Sequence, residues 1–197
     1  RTQVECEFNL ADANWEEQCT VATAYNNGKA LPSQVEQQLG SLNLDWRKRV
    51  VFDAVLAPSQ MNRFDCRLNV LKAKPTPKLK ERNGKIRFVG DALEVIINTR
   101  TGLIDRYRVN GEDYVAPNAF LPLVIKDNED PWGMTVRSFR KVAGRFKLLS
   151  RLKGTQISGT TEAKLPSVRV IEDGDVRSVV EAVFGYGDSF ICQRYKL

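Results

Sequence analysis

Histidine is absent from this chain. That removes the side chain most often used as a general base near neutral pH and as a metal ligand. A Ser-His-Asp triad, a Cys-His dyad and a histidine-held zinc are therefore excluded within these residues. The four cysteines, Cys6, Cys19, Cys66 and Cys192, form no C-x-x-C pair, which argues against a zinc knuckle. No apolar stretch approaches the ~20 residues of a membrane-spanning helix. Helical periodicity is scarce too, and the helix template finds only short stretches such as Asp12 to Gln18.

What is present is alternation. Val4, Cys6, Phe8 and Leu10 alternate with Glu5, Glu7 and Asn9. Val50, Phe52, Ala54 and Leu56 form a second run, and Phe64, Cys66, Leu68 and Val70 a third. Strands with one face in a core and one in water read this way. Thr20 to Tyr25 and Ser33 to Gln38 are weaker strands, and Pro58-Ser59 suits a connection. Cys6, Cys66 and Cys192 fall at apolar positions, so each is expected to be a small buried hydrophobe. Arg47, Lys48 and Arg49 read as a charged strand edge that resists aggregation. These 72 residues predict a small antiparallel β-sandwich.

Next comes K-A-K-P-T-P-K-L-K-E-R-N-G-K, from Lys72 to Lys85. Its prolines and lysines, without apolar periodicity, predict a solvated linker over 73–84. A nucleic-acid arm is the sharper alternative, but no aromatic residue is interleaved to stack on bases. The net charge of +6 is spread among interleaved acids and bases, which favours solvated strand faces over a nucleic-acid or membrane partner.

Residues 85–197 are again β-rich. Strands are expected at Lys85 to Val89, Leu93 to Asn98, Leu103 to Val109, Asp113 to Val115, Phe120 to Lys126, Val168 to Glu172, Val176 to Phe184 and Phe190 to Leu197. Asn110-Gly111 supplies the two positive φ values of a tight hairpin. Asp173-Gly174-Asp175 reads as a turn, or as a cation site. Ser189 to Leu197 is strand-like to its last residue, and Arg1-Thr2-Gln3 leads at once into the first run. A strand without a neighbour exposes unpaired backbone groups, so the chain is expected to be a piece of a larger protein.

The stretch Asp91 to Trp132, A-L-E-V-I-I-N-T-R-T-G-L-I-D-R-Y on through D-N-E-D-P-W-G-M, resembles the region after the catalytic part of bacterial α-mannosidases of glycoside hydrolase family 38. So does L-P-S-V-R-V-I-E-D-G-D-V-R-S-V-V-E-A-V-F-G-Y-G-D-S-F-I-C-Q-R-Y-K-L at 165–197. N-L-D-W-R-K-R-V-V-F at 43–52 and M-N-R-F-D-C-R-L at 61–68 fit the same family's intervening β-domain. The resemblance implies a parent with an α/β barrel that holds zinc through His and Asp, and an Asp nucleophile in a retaining mechanism. None of those groups maps onto a residue here, so the catalytic barrel of the same polypeptide would be the partner. Residues 85–197 would be the first part of a galactose-mutarotase-like super-sandwich, and the location cytoplasmic.

Two residues are marked for contact with a mannose-containing carbohydrate. Asp130 closes the acidic loop Asp127-Asn128-Glu129-Asp130, whose oxygens suit sugar hydroxyls or a hard cation; a solvated connection between strands is the simpler reading of the loop. Trp132, between Pro131 and Gly133, offers a flat face to a pyranose. In relatives a loop of the β-domain brings an aromatic residue, often Tyr, to the sugar site, and Trp132 resembles it by position. A core or interface Trp is the other reading, and the one preferred for Trp15 and Trp46. No catalytic residue, metal ligand or cofactor is assigned within the chain. The alternative to an accessory domain is a stand-alone carbohydrate-binding module built on Trp132.

Overall fold

The computed structural model describes residues 1–9, 19–37, 47–129, 138–157 and 165–197. It is an all-β structure of antiparallel sheets with one short helix among the described residues. The chain divides into two compact units, one of 1–78 with 172–178, the other of 79–171 with 179–197.

The first unit is a two-layer sandwich. Its strands are β1 (Thr2–Asn9), β2 (Cys19–Asn26), β3 (Lys29–Ala30), β4 (Ser33–Gln37), β5 (Arg47–Ala54) and β6 (Asp65–Leu71). One sheet runs β1-β5-β4 and the other β3-β2-β6. The Asn27-Gly28 step, with φ of 49° and 79°, joins β2 to β3, as a primed two-residue turn requires. Alternation decides which side chains meet. Val50, Phe52 and Ala54 of one sheet and Ala22 and Ala24 of the other form a buried cluster. Phe64 meets Phe52 edge-on, with centroids 5.0 Å apart, the geometry that ring quadrupoles favour.

The second unit opens with a meander. Its strands are β7 (Glu81–Arg82), β8 (Lys85–Val89), β9 (Leu93–Asn98), β10 (Ile104–Val109) and β11 (Glu112–Asp113), in the order β11-β10-β9-β8-β7. Asn83-Gly84 and Asn110-Gly111 supply two further positive-φ turns. Thus the end of the Lys/Pro-rich stretch pairs with β8, and Leu79 packs on the core. Strands β12 (Leu123–Ile125) and β13 (Val142–Arg145) pair with each other. A last sheet holds β14 (Lys147–Leu148), β15 (Val168–Asp173), β16 (Ser178–Tyr186) and β17 (Ser189–Lys196), with α1 (Arg151–Ile157) between β14 and β15. The core draws Ile86, Val95 and Ile97 from the meander and Val180, Ala182 and Phe184 from β16.

Three expectations need correction. Cys6, Cys66 and Cys192 are exposed, not buried. They alternate correctly, but β1, β6 and β17 are edge strands, and an edge position is covered on fewer sides. The Arg47-Lys48-Arg49 run lies in β5, which is the central strand of its sheet, and Lys48 is buried. The apolar run Phe120 to Lys126 is strand only over Leu123–Ile125. Phe120 sits at φ 66°, a region costly for a bulky residue.

Between β9 and β10 the backbone turns through Gly102, at φ 74°. The Gly102 N–H donates to the Asn98 carbonyl (2.8 Å), and the Arg100 N–H to the Asn98 side chain (2.9 Å). A Cβ on Gly102 would lie 2.8 Å from both Leu148 Cδ1 and Phe184 Cζ. Gly102→Ala therefore combines an unfavourable φ with a clash against the core. It is expected to destabilise the second unit by about 2–4 kcal/mol, read as a lowered urea midpoint. An unchanged midpoint would contradict this packing.

Candidate functional site

In the second unit the described residues form an open groove of about 580 Å³. It is lined by Ile104, Tyr107, Phe120 and Leu121 on one side and by Gln193 to Leu197 on the other. The two sides are fixed differently. Ala119 and Ile104 exchange backbone hydrogen bonds of 2.9 and 3.2 Å in an isolated bridge. That bridge holds the segment just before Phe120 against β10. The other side is β17, paired along its length with β16.

Gln193 ties the sides together. Its Nε2 donates to the Phe120 carbonyl (3.2 Å) and to Tyr195 Oη (2.6 Å). Tyr195 in turn donates its hydroxyl proton to the Gly102 carbonyl (2.7 Å). The strained Phe120 backbone is thus held by an amide from β17, and its ring is left exposed at the mouth. Backbone strain of this kind persists only where surrounding contacts hold it. On the opposite face of β17, Arg194 donates to Glu181 (2.9 Å), which also takes two hydrogen bonds from Arg169 (2.8 and 3.2 Å). Glu181 is nearly fully buried, so the two guanidiniums supply the pairing that a buried carboxylate needs.

Tyr107, Phe120 and the Gln193 amide line the groove, whereas the Arg194 side chain turns to the other face of β17 to reach Glu181. Tyr195 cannot serve as a base near neutral pH. Burial pushes its hydroxyl up to about 12, against a smaller lowering by Gln193.

The marked residues Asp130 and Trp132 lie outside the described residues, as do Trp15, Trp46 and the Asp12–Gln18 stretch. Of the acidic loop, Asp127, Asn128 and Glu129 are exposed, and the Asn128 N–H donates to Asp127 Oδ1 (2.8 Å). No group of three or more acidic or cysteine ligands gathers among the described residues. The sequence reading did not single out Phe120, Gln193 or Tyr195. The available signal was the polar-apolar alternation of β17, which puts Gln193 and Tyr195 on one face. No protein-family model, curated protein or solved structure matches this chain.

The raised Tyr195 hydroxyl carries a stability consequence. The folded value stands above the ordinary value of about 10. The neutral form is therefore favoured by folding, and its contribution is complete below pH ~10. It is lost as pH rises towards about 12. Spectrophotometric titration is expected to show one tyrosine ionising late, and Tyr195→Phe should remove that late step. A Tyr195 that titrates with the exposed tyrosines would contradict the buried hydrogen-bond chain.

Proposed function

We propose that this chain is the non-catalytic β-domain portion of a glycoside hydrolase resembling the family 38 α-mannosidases. In this reading it packs on a zinc-dependent catalytic barrel of the same polypeptide, acts in the cytoplasm, and sends the loop of Asp130 and Trp132 towards a mannose-containing sugar. One observation carries the reading more than any other. Part of the stretch that bears the resemblance, Leu93 to Val109 within 91–132, forms the β9–β10 hairpin, whose turn glycine is packed against the core of the second unit. That part of the resemblance falls on residues whose identity the packing constrains. The second reading is a stand-alone carbohydrate-binding module. It is favoured by the groove of Phe120, Tyr107 and Gln193, which offers rings and a hydrogen-bonding amide together.

Two assays on the isolated chain separate these readings. An aryl α-mannoside should not be cleaved, with or without added zinc, and turnover that copurifies with the chain would overturn the non-catalytic reading. Titration with mannose oligosaccharides should give no binding if the chain is an accessory domain. Saturable binding lost in Phe120→Ala would favour the module.

A further inference from the structure

Cys6 and Cys66 belong to different sheets of the first unit. Cys6 lies opposite Val50 on β5, and Cys66 lies opposite Ala24 on β2. Direct cross-strand partners point to the same side of a sheet. Val50 and Ala24 are both fully buried in the one cluster between the two sheets. Each cysteine therefore faces the space between the sheets, from opposite sides. Because β1 and β6 are edges, that space is open where the cysteines stand. Both are free and solvent-exposed. The edge-on contact of Phe64 with Phe52 brings the start of β6 over β5, the neighbour of β1, and the two thiols stand close enough that each alters the other's ionisation.

We propose that Cys6 and Cys66 form a redox-active dithiol that closes to a disulfide bridging the two sheets of the first unit. The oxidant is a low-molecular-weight disulfide of the glutathione class. The same products follow whether Cys66 or Cys6 attacks. With Cys66 leading, its thiolate attacks one sulfur of the small disulfide. The S–S bond breaks, one small thiolate leaves and takes up a proton, and Cys66 carries a mixed disulfide. Cys6 then loses its proton and attacks the Cys66 sulfur, which expels the second small thiol. The protein gives up two electrons and two protons, and the small disulfide becomes two thiols.

The rate has a defined pH dependence. Partial desolvation beside the intersheet cluster pushes both exposed thiols above their usual range; the neighbouring Cys66 raises Cys6 further, and Asp65 adds to the rise at Cys66. Thiolate is the reacting form, so closure is slow near neutrality and accelerates as pH rises. Cys19 is only half-buried on β2, and Cys192 lies on β17 of the other unit. Neither has a thiol partner among the described contacts.

The test treats the full chain with excess glutathione disulfide and counts thiols after denaturation. The count should fall from the four of the sequence to two. Intact mass should drop by about 2 Da, the loss of two hydrogens, and proteolysis should yield one linked pair of peptides carrying positions 6 and 66. Closure should speed up with pH. Cys6→Ser should stop at a glutathione adduct on Cys66. In the double variant Cys19→Ser/Cys192→Ser both remaining thiols should disappear; if that variant fails to fold, the peptide map of the unaltered chain decides. Persistence of both thiols, separate glutathione adducts on each, or bridges to Cys19 or Cys192 would overturn the proposal.

Discussion

The first unit depends on one buried guanidinium. Arg177 donates to Glu36 through two nitrogens at 2.6 Å each, and a third contact of 2.5 Å reaches Glu5. Glu36 and Arg177 are almost wholly buried; Glu5 is half-exposed. Gln34 completes the arrangement. Its Oε1 accepts the backbone N–H groups of Val176 and Arg177 (3.0 and 2.9 Å), while its Nε2 donates to Glu36 (2.9 Å). Removing two charges from water costs several kcal/mol per ion unless geometry and further hydrogen bonds compensate. Here the fork is bidentate, and the amide satisfies the remaining acceptor capacity. Arg177 is accordingly held even more firmly in its charged form than an ordinary arginine, by Glu36 above all.

This cluster explains the burial pattern of the β1-β5-β4 sheet. Glu5, Val51 and Gln34 lie side by side in register, with Glu7, Arg49 and Glu36 next to them. These residues face away from the Val50–Phe52 cluster. An uncovered sheet face of such composition would be solvated. Residues 172–178 lie over it instead. Val51 is fully buried, and the Gln34 side chain sits so close to Gly174 that a Cβ there would lie 2.5 Å from Gln34 Oε1. Glu172 accepts the Gln37 N–H (2.9 Å) and pairs with Lys74 (3.4 Å), and Asp173 accepts from Ser178 (2.6 Å). The first unit is thus assembled from two stretches of chain far apart in sequence.

Much of the secondary structure was legible because alternation and Asn-Gly turns act locally. The strands at Lys85–Val89 and Leu93–Asn98 and the Asn110-Gly111 hairpin rest on such short-range signals. Position within a sheet is not local. Nothing in V-E-C-E-F says that β1 is an edge, so Cys6 was expected inside. Nothing in R-K-R-V says that β5 is central. Nothing local marks Arg177 within the expected strand Val176 to Phe184, since its partners lie more than 140 residues away. The groove escaped for the same reason: Phe120 and Gln193 meet only through pairing of distant segments. Asp130 rests on the acidity of its loop, and Trp132 on its setting between Pro131 and Gly133 and on the family resemblance.

Native-state amide hydrogen exchange tests the central claim most directly, that residues 172–178 are an integral layer of the first unit held by Arg177. The Val176 and Arg177 amides, both bound to a buried side-chain oxygen, should be protected as strongly as those of Val50 to Phe52 and should exchange through the same opening of the unit. Exchange of these two amides at the rate of an exposed loop, with β5 still protected, would contradict the account.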